Sequence, residues 1–287
     1  FYVQDEIALS ENFDLVLGAR FDSFDIESVD TSGAVDVTRS RKDEEISPRL
    51  GLIYKPRENV SVYGSFSQSF LPRSGGQFAS LSDSTEALSP DVYENLEAGL
   101  KWDFARGLSL TAAYFQNEQT SAARDDLDSQ EFEIRGLEID GFEIQLQGRI
   151  TDKLDFTAGY ANLSGETDQG RELPRELPEN TFSLWSNYQV SDKFGLGLGA
   201  TYQDEAFISD FNLDVDGQTA SDRSTHPTLP SFTRFDAAAY YDVNDDLRLQ
   251  LNVENLTDTE YYPTSHSTHQ VTVGTPLNAR FTVSGRF

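Results

Sequence analysis

Apolar and polar residues alternate one by one through long stretches of this chain. FDLVLGARF places Phe13, Leu15, Leu17, Ala19 and Phe21 on one face, with Asp14, Val16, Gly18 and Arg20 on the other. FEIQLQGRI sets Phe142, Ile144, Leu146, Gly148 and Ile150 opposite Glu143, Gln145, Gln147 and Arg149. LDFTAGYAN, FGLGLGATY, LRLQLNVEN and the terminal LNARFTVSGRF repeat the scheme. A period of two is that of a β-strand with two unlike faces, and none of these segments carries the 3.6-residue period of a helix.

Short polar turns punctuate the alternation. SEN, REN, ARG, TDK, SDK and NDD begin at residues 10, 57, 105, 151, 191 and 244, and each joins two alternating segments as a hairpin turn would. The other ends of the hairpins are joined by long polar stretches, Ser28–Asp43, Leu71–Asp91, Arg124–Glu133, Asp168–Glu179, Ile208–Leu229 and Thr257–Thr275. Soluble sandwiches do not ordinarily sort connections this way, whereas transmembrane barrels have short turns at one rim and long loops at the other. The alternating segments run from about 9 to 16 residues, enough to cross a bilayer as strands. The polar face carries Arg20, Glu97, Lys101, Glu143, Arg149, Arg248, Glu254, Arg280 and Arg286. A dry core would make these charges costly, and a wet lumen would not. The pattern predicts an all-β, transmembrane antiparallel β-barrel.

Composition agrees. No apolar run is long enough for a membrane helix. The 2 Trp, 12 Tyr and 20 Phe suit strands and interfacial belts. Phe13, Trp102, Phe104, Phe156, Tyr188, Phe194, Tyr241 and Phe287 fall near the short-turn ends, where a girdle would sit. With 49 acidic against 22 basic residues, a formal charge of -27, the chain does not suit nucleic acid. Cysteine is absent, which rules out disulfide and thiolate chemistry within this sequence.

Six hairpins and a final strand give about thirteen strands, whereas single-chain bacterial barrels have an even number. The chain also opens without Met on the strand-like FYVQDEIAL. We therefore expect residues 1–287 to be the carboxyl-terminal part of an outer-membrane barrel whose first strands lie outside this sequence.

The ordered stretches YVQDEI, LGARFD, SPRLGLIYKP, VYGSFSQSFLP, YENLEAGLKWDF, LTAAYFQNEQT, RGLEIDGFEIQLQGRI and NVENLTDTEYY, closed by Phe287, resemble the barrel of a TonB-dependent ferric-siderophore receptor. A loop of the STHQ kind followed by GTPLNARF resembles receptors for small catecholate or iron-chelate substrates, the catecholate-type branch, with hydroxamate and α-hydroxycarboxylate siderophores as the alternatives. The resemblance implies a 22-stranded barrel, of which these strands would be the tenth to the twenty-second, filled by an amino-terminal plug not in this sequence. It also implies active import of a ferric siderophore as transported ligand, with no intrinsic cofactor and no catalytic residues. Implied partners are the TonB–ExbB–ExbD energy-transducing complex, reached through a TonB box in the missing amino-terminal region, the barrel assembly machinery, and outer-membrane lipid and lipopolysaccharide around a monomer. Phe287 would be the assembly signal.

Ligand-binding candidates lie on the long connections and nearby strand ends. Arg73, Arg124, Arg171 and Arg175 offer donors to an anionic complex, and Phe78 and Tyr93 offer aromatic faces. The plainer reading pairs each arginine with nearby Asp125, Asp126, Glu172 or Glu176. His266 and His269 could donate to the ligand; His226 stands before Pro227 without an evident partner. In a strand, His-x-x-His does not put both rings on one side, so no metal site is expected there. Asp125, Asp126 and Asp128 could hold a divalent cation or simply be solvated. Arg20, Glu97, Arg149 and Arg286 would face the plug or line the lumen. A passive porin is the alternative function. An outer-membrane barrel enzyme is the remoter one, because it needs a nucleophile or acid–base constellation that three histidines scarcely supply.

Overall fold

The computed structural model describes residues 1–31, 33, 35–72, 88–124, 132–167, 172–208, 211–212, 227–267 and 270–286. Its strands are β1 (Tyr2–Ser10), β2 (Phe13–Asp30), β3 (Val37–Arg57), β4 (Val60–Leu71), β5 (Asp91–Ala105), β6 (Leu108–Arg124), β7 (Phe132–Thr151), β8 (Leu154–Thr167), β9 (Glu172–Leu173) and β10 (Asn180–Gln189). There follow β11 (Phe194–Gln203), β12 (Ala206–Phe207), β13 (Phe211–Asn212), β14 (Thr228–Leu229), β15 (Phe232–Asn244), β16 (Leu247–Glu254), β17 (Thr264–Ser267), β18 (Gln270–Thr272) and β19 (Asn278–Gly285).

Thirteen of them lie side by side in sequence order, β1 to β8, then β10, β11, β15, β16 and β19. The six polar turns all sit between paired neighbours, as their sequences require. The other six strands are short pieces within the long connections, where β9 pairs with β13, β12 with β14 and β17 with β18. No described helix is long and apolar enough to cross a membrane.

By contacts the chain divides into two units, Phe1–Ala98 with Phe115–Asp140 and Glu166–Arg171, and Gly99–Tyr114 with Gly141–Gly165 and Glu172–Phe287. In the first, β2 and β3 pair without a break from Phe13↔Tyr54 to Asp30↔Val37. The expected loop Ser28–Asp43 is therefore mostly hairpin. Its polar residues extend the ladder because they face one another, as in Asp25 opposite Lys42, while Arg41 binds the buried Asp43 at 2.6 Å. Ile46 and Leu50, both on the apolar face, are 62% and 48% exposed.

In the second unit the two faces can be followed across four strands. Leu196, Ala239, Leu251 and Phe281 are successive partners in one apolar row, with Phe281 63% exposed. Along the polar face, Asp242 stands opposite Arg248 and takes both of its guanidinium contacts, at 2.6 and 2.9 Å. Such a surface is stable where apolar side chains meet lipid and backbone groups pair strand to strand. Aromatic rings meet near short turns within each unit: Phe13 stacks on Tyr54 at 4.6 Å in the first, and in the second Trp102 lies 5.4 Å from Phe104 and Phe194 pairs with Tyr241. Phe287 falls outside the described residues.

The glycines of FGLGLGATY have a definite packing role. An ideal Cβ on Gly197 or on Gly199 would lie 2.5 Å from the Trp185 ring, so the indole rests flat on a floor that only glycine leaves open. Its Nε1–H donates to Asn187 Oδ1 at 3.0 Å. We expect Gly197→Ala to lift the indole at a cost of about 1–3 kcal/mol, the usual range for overpacking. Acrylamide quenching of Trp185, with Trp102 and any tryptophan outside this chain replaced by Phe, should rise, and unchanged quenching would contradict the packing.

Candidate functional site

The long connections gather polar groups at the ends of their strands. In the second unit, Tyr160 Oη and Asn162 Nδ2 donate to Asn180 Oδ1 at 2.6 and 3.0 Å, and Asn180 Nδ2 donates to Asp204 Oδ2 at 2.6 Å. Tyr202 donates to the other Asp204 oxygen. Donation from Tyr202, then from Asn180, holds the Asp204 carboxyl below its ordinary range. Beside this network lies a cavity of about 630 Å³, lined by Asn162, Asp204 and Glu205 and by Pro174, Leu177 and Phe207. That volume is in the range of small-molecule sites.

Glu176 ties neighbouring connections together. Its backbone N–H donates to Phe207 O at 2.8 Å. Its Oε1 accepts from Thr264 Oγ1 at 2.9 Å, from Ser265 Oγ at 3.1 Å and from the Ser265 backbone N–H. The Ser265 amide is the largest cause that keeps this carboxyl below its usual range, with further help from the two hydroxyls and the charge of Arg175. Glu176 has φ 54°, a left-handed conformation that a β-carbon resists unless its surroundings impose it.

A second knot follows β16 in NVENLTDTEYY. Asn255 is fully buried, with φ 54°. Its Nδ2 donates to Thr259 O at 2.8 Å and Thr275 O at 3.1 Å, while its Oδ1 accepts from Thr259 N at 2.8 Å. Its own N–H donates to Asp236 Oδ1 at 2.8 Å. Asp258 Oδ1 accepts from Leu277 N at 2.9 Å. Tyr261 is buried against Phe232 and takes a 3.0 Å bond from Arg234, and its ring occupies the space beside Gly274 that a Cβ would need. This knot sets how the chain leaves β16 and enters β19.

In the first unit, Tyr93 is partly buried near the start of β5 and lines a cavity of about 320 Å³ with Asn95, Asn117 and Gln119. Asn95 Nδ2 donates to Asn117 Oδ1 at 2.7 Å. Of the other ligand candidates, Arg175 is exposed in the turn before Glu176 and His266 is exposed in β17. The Glu176 bonds bring the segments of Arg175 and His266 together. Arg124 ends β6, its side chain undescribed. Arg73, Phe78, Arg171, His226 and His269 lie outside the described residues, as do Asp125, Asp126 and Asp128. Among the lumen candidates, Arg20 pairs with Asp22 at 2.8 Å and Glu97 accepts from Tyr63 Oη at 2.5 Å. Arg149 N–H donates to Gly107 O at 2.8 Å and Arg286 N–H to Asp246 O at 2.9 Å, with both side chains exposed. Among the described residues no group of three or more His, Asp or Glu could hold a metal ion.

Sequence reasoning did not single out Glu176, Asn255 or Asp204. Asn255 and Asp258 stand in a stretch with a recognisable pattern, but their partners are up to 20 residues away. The sequence offers Glu176 only as a partner for arginine, whereas its side-chain hydrogen bonds come from residues 264 and 265.

The model of the family "TonB dependent receptor-like, beta-barrel" matches residues 1–256. The chain is 30% identical, over its whole length and 40% of the relative's, to the probable TonB-dependent siderophore receptor PiuA of Acinetobacter baumannii. The crystal structure of that receptor superposes with a TM-score of 0.85, covering 99% of this chain and 42% of the other. The catecholate siderophore receptor Fiu of Escherichia coli K12 is 27% identical over 91% of the chain and 38% of its own length. The metal-pseudopaline receptor CntO of Pseudomonas aeruginosa PAO1 is 27% identical over 96% of the chain and 39% of its own length. These proteins form a family of transporters of the bacterial outer membrane rather than enzymes, and the apolar rows of this sheet are built to meet that membrane's lipid. The chain belongs to the TonB-dependent receptors, as a portion of their β-barrel.

Proposed function

We propose that the chain is the carboxyl-terminal part of a 22-stranded barrel that imports a ferric siderophore across the outer membrane. The observation that carries this reading is the similarity to PiuA, a probable siderophore receptor, which extends over the whole chain. The energy would come from TonB–ExbB–ExbD through an amino-terminal region, with a plug filling the lumen. Barrel assembly would read the terminal strand and Phe287. Arg20, Glu97, Arg149 and Arg286 would then face the plug or line the water around it.

Ligand capture falls to the long connections, with Arg73, Phe78, Tyr93, Arg124, Arg171, Arg175, His266 and His269 as the residues to test. Basic side chains there would attract an anionic ferric complex into otherwise acidic loops. The likeness to Fiu supports a catecholate, whereas that to CntO supports a different metal chelate.

Radioactive iron uptake by cells whose only siderophore receptor is the full-length protein tests this. At least one complex from a panel of ferric catecholates, hydroxamates and α-hydroxycarboxylates should accumulate, and a protonophore should abolish the accumulation. Energy-independent passage of small sugars without siderophore uptake would favour the porin instead. Within this reading, Tyr93→Ala should weaken binding of the transported complex by about tenfold, the effect of removing one stacking or hydrogen-bonding anchor. Unchanged affinity would remove Tyr93 from the site.

A further inference from the structure

The segment 174–179 lies between the 630 Å³ cavity and two other connections. Pro174 and Leu177 line the cavity, and between them Glu176 points to the β17–β18 hairpin instead. Its backbone binds the β12 strand at Phe207, which is also a lining residue. One residue thus holds a cavity wall against elements 31 residues away on the backbone side and, through its carboxylate, 88 and 89 residues away. Three donors converge on a single oxygen, and the backbone there is in a conformation that a non-glycine residue keeps only when its surroundings impose it. Removing the carboxylate removes the three bonds to residues 264 and 265 and leaves the backbone bond to Phe207.

We propose that segment 174–179 is a movable wall of this cavity and that Glu176 is the latch that holds it against β17. With the latch made, Ala206 on the cavity wall is 4% exposed. When the latch breaks, the wall swings from β17 and the cavity widens around Ala206. Glu176 acts by positioning the wall and touches no ligand itself. The device does not depend on which ligand the receptor carries, so its test is separate from the uptake assay.

The chain has no cysteine, so a single reporter can be placed in it. Ala206→Cys in the full receptor, with any cysteine outside this chain replaced, would be modified by a small maleimide. Adding Glu176→Ala should speed modification at least about tenfold, the factor that about 1.4 kcal/mol of lost latch stability gives. Glu176→Gln keeps an acceptor oxygen and should fall between the two. A cysteine at Ser191, in a turn between β10 and β11, should react at one rate in all backgrounds. A rate for Ala206→Cys within twofold of the parent in Glu176→Ala would overturn the proposal. Where the reporter variant does not fold, amide exchange without it decides. The amides of residues 176 and 265 should both exchange faster in Glu176→Ala, and acceleration at 265 alone would show that the wall is not held by this latch.

Discussion

Gly148→Ala should prevent most of the protein from reaching its folded form. Gly148 stands in β7 with φ 138°, and an ideal Cβ there would lie 1.8 Å from Gly107 O and 2.8 Å from Gly107 C. Those atoms are backbone of the turn between β5 and β6, held in place by the 2.8 Å bond from Arg149 N–H to Gly107 O. A flexible side chain could step aside, but this carbonyl cannot move without breaking that bond. Overpacking costs about 1–3 kcal/mol and a strained backbone conformation about 1–3 kcal/mol more. Together they take a large share of a typical stability margin. Gly64→Ala is the matched control, since its nearest neighbour would be Glu97 O at an ordinary 3.9 Å. The heat-modifiable, folded band on gels of outer-membrane fractions should largely vanish for Gly148→Ala and persist for Gly64→Ala. Equal folded fractions would contradict the close approach.

Asn255→Ala should loosen the passage from β16 to β19 more than any exposed change nearby. The substitution leaves Thr259 N, Thr259 O and Thr275 O without their side-chain partner in a buried place. A buried group so stranded costs about 1–3 kcal/mol. Alanine is also poorer than asparagine at positive φ. Asn255→Gly relieves the backbone but not the lost bonds, so it should fall between wild type and alanine. Hydrogen exchange is the measurement, with faster exchange expected across 255–277 and little change in β1 to β4. Protection of 255–277 equal to wild type in Asn255→Ala would show that the knot holds without this side chain.

The parts of the fold legible in the sequence were those with a local period. Thirteen long strands, their faces and their six tight turns follow from alternation and from turn chemistry, which a single segment displays by itself. The hairpin of β2 and β3 ran further than expected because its polar residues pair across strands, as Asp25 does with Lys42, and composition alone reads such residues as loop. The six short strands were not legible, since two to four residues carry too few positions to show a period. Gly148 fitted the alternation and so concealed its special backbone. The sequence could also name arginines, aromatics and histidines on the long connections, but not the bonds that organise those connections. Glu176 and Asn255 act through partners distant in sequence, and no spacing rule connects residue 176 to residue 265.

The central claim is that one face of each long strand meets lipid and the other meets water. Spin labels placed singly from Arg248 to Glu254 in the full receptor, reconstituted in bilayers, test it most directly. Leu249, Leu251 and Val253 should be accessible to oxygen and shielded from a water-soluble nickel chelate, while Arg248, Gln250, Asn252 and Glu254 show the reverse. Accessibility that does not alternate from residue to residue along β16, or that alternates in the opposite sense, would contradict the account.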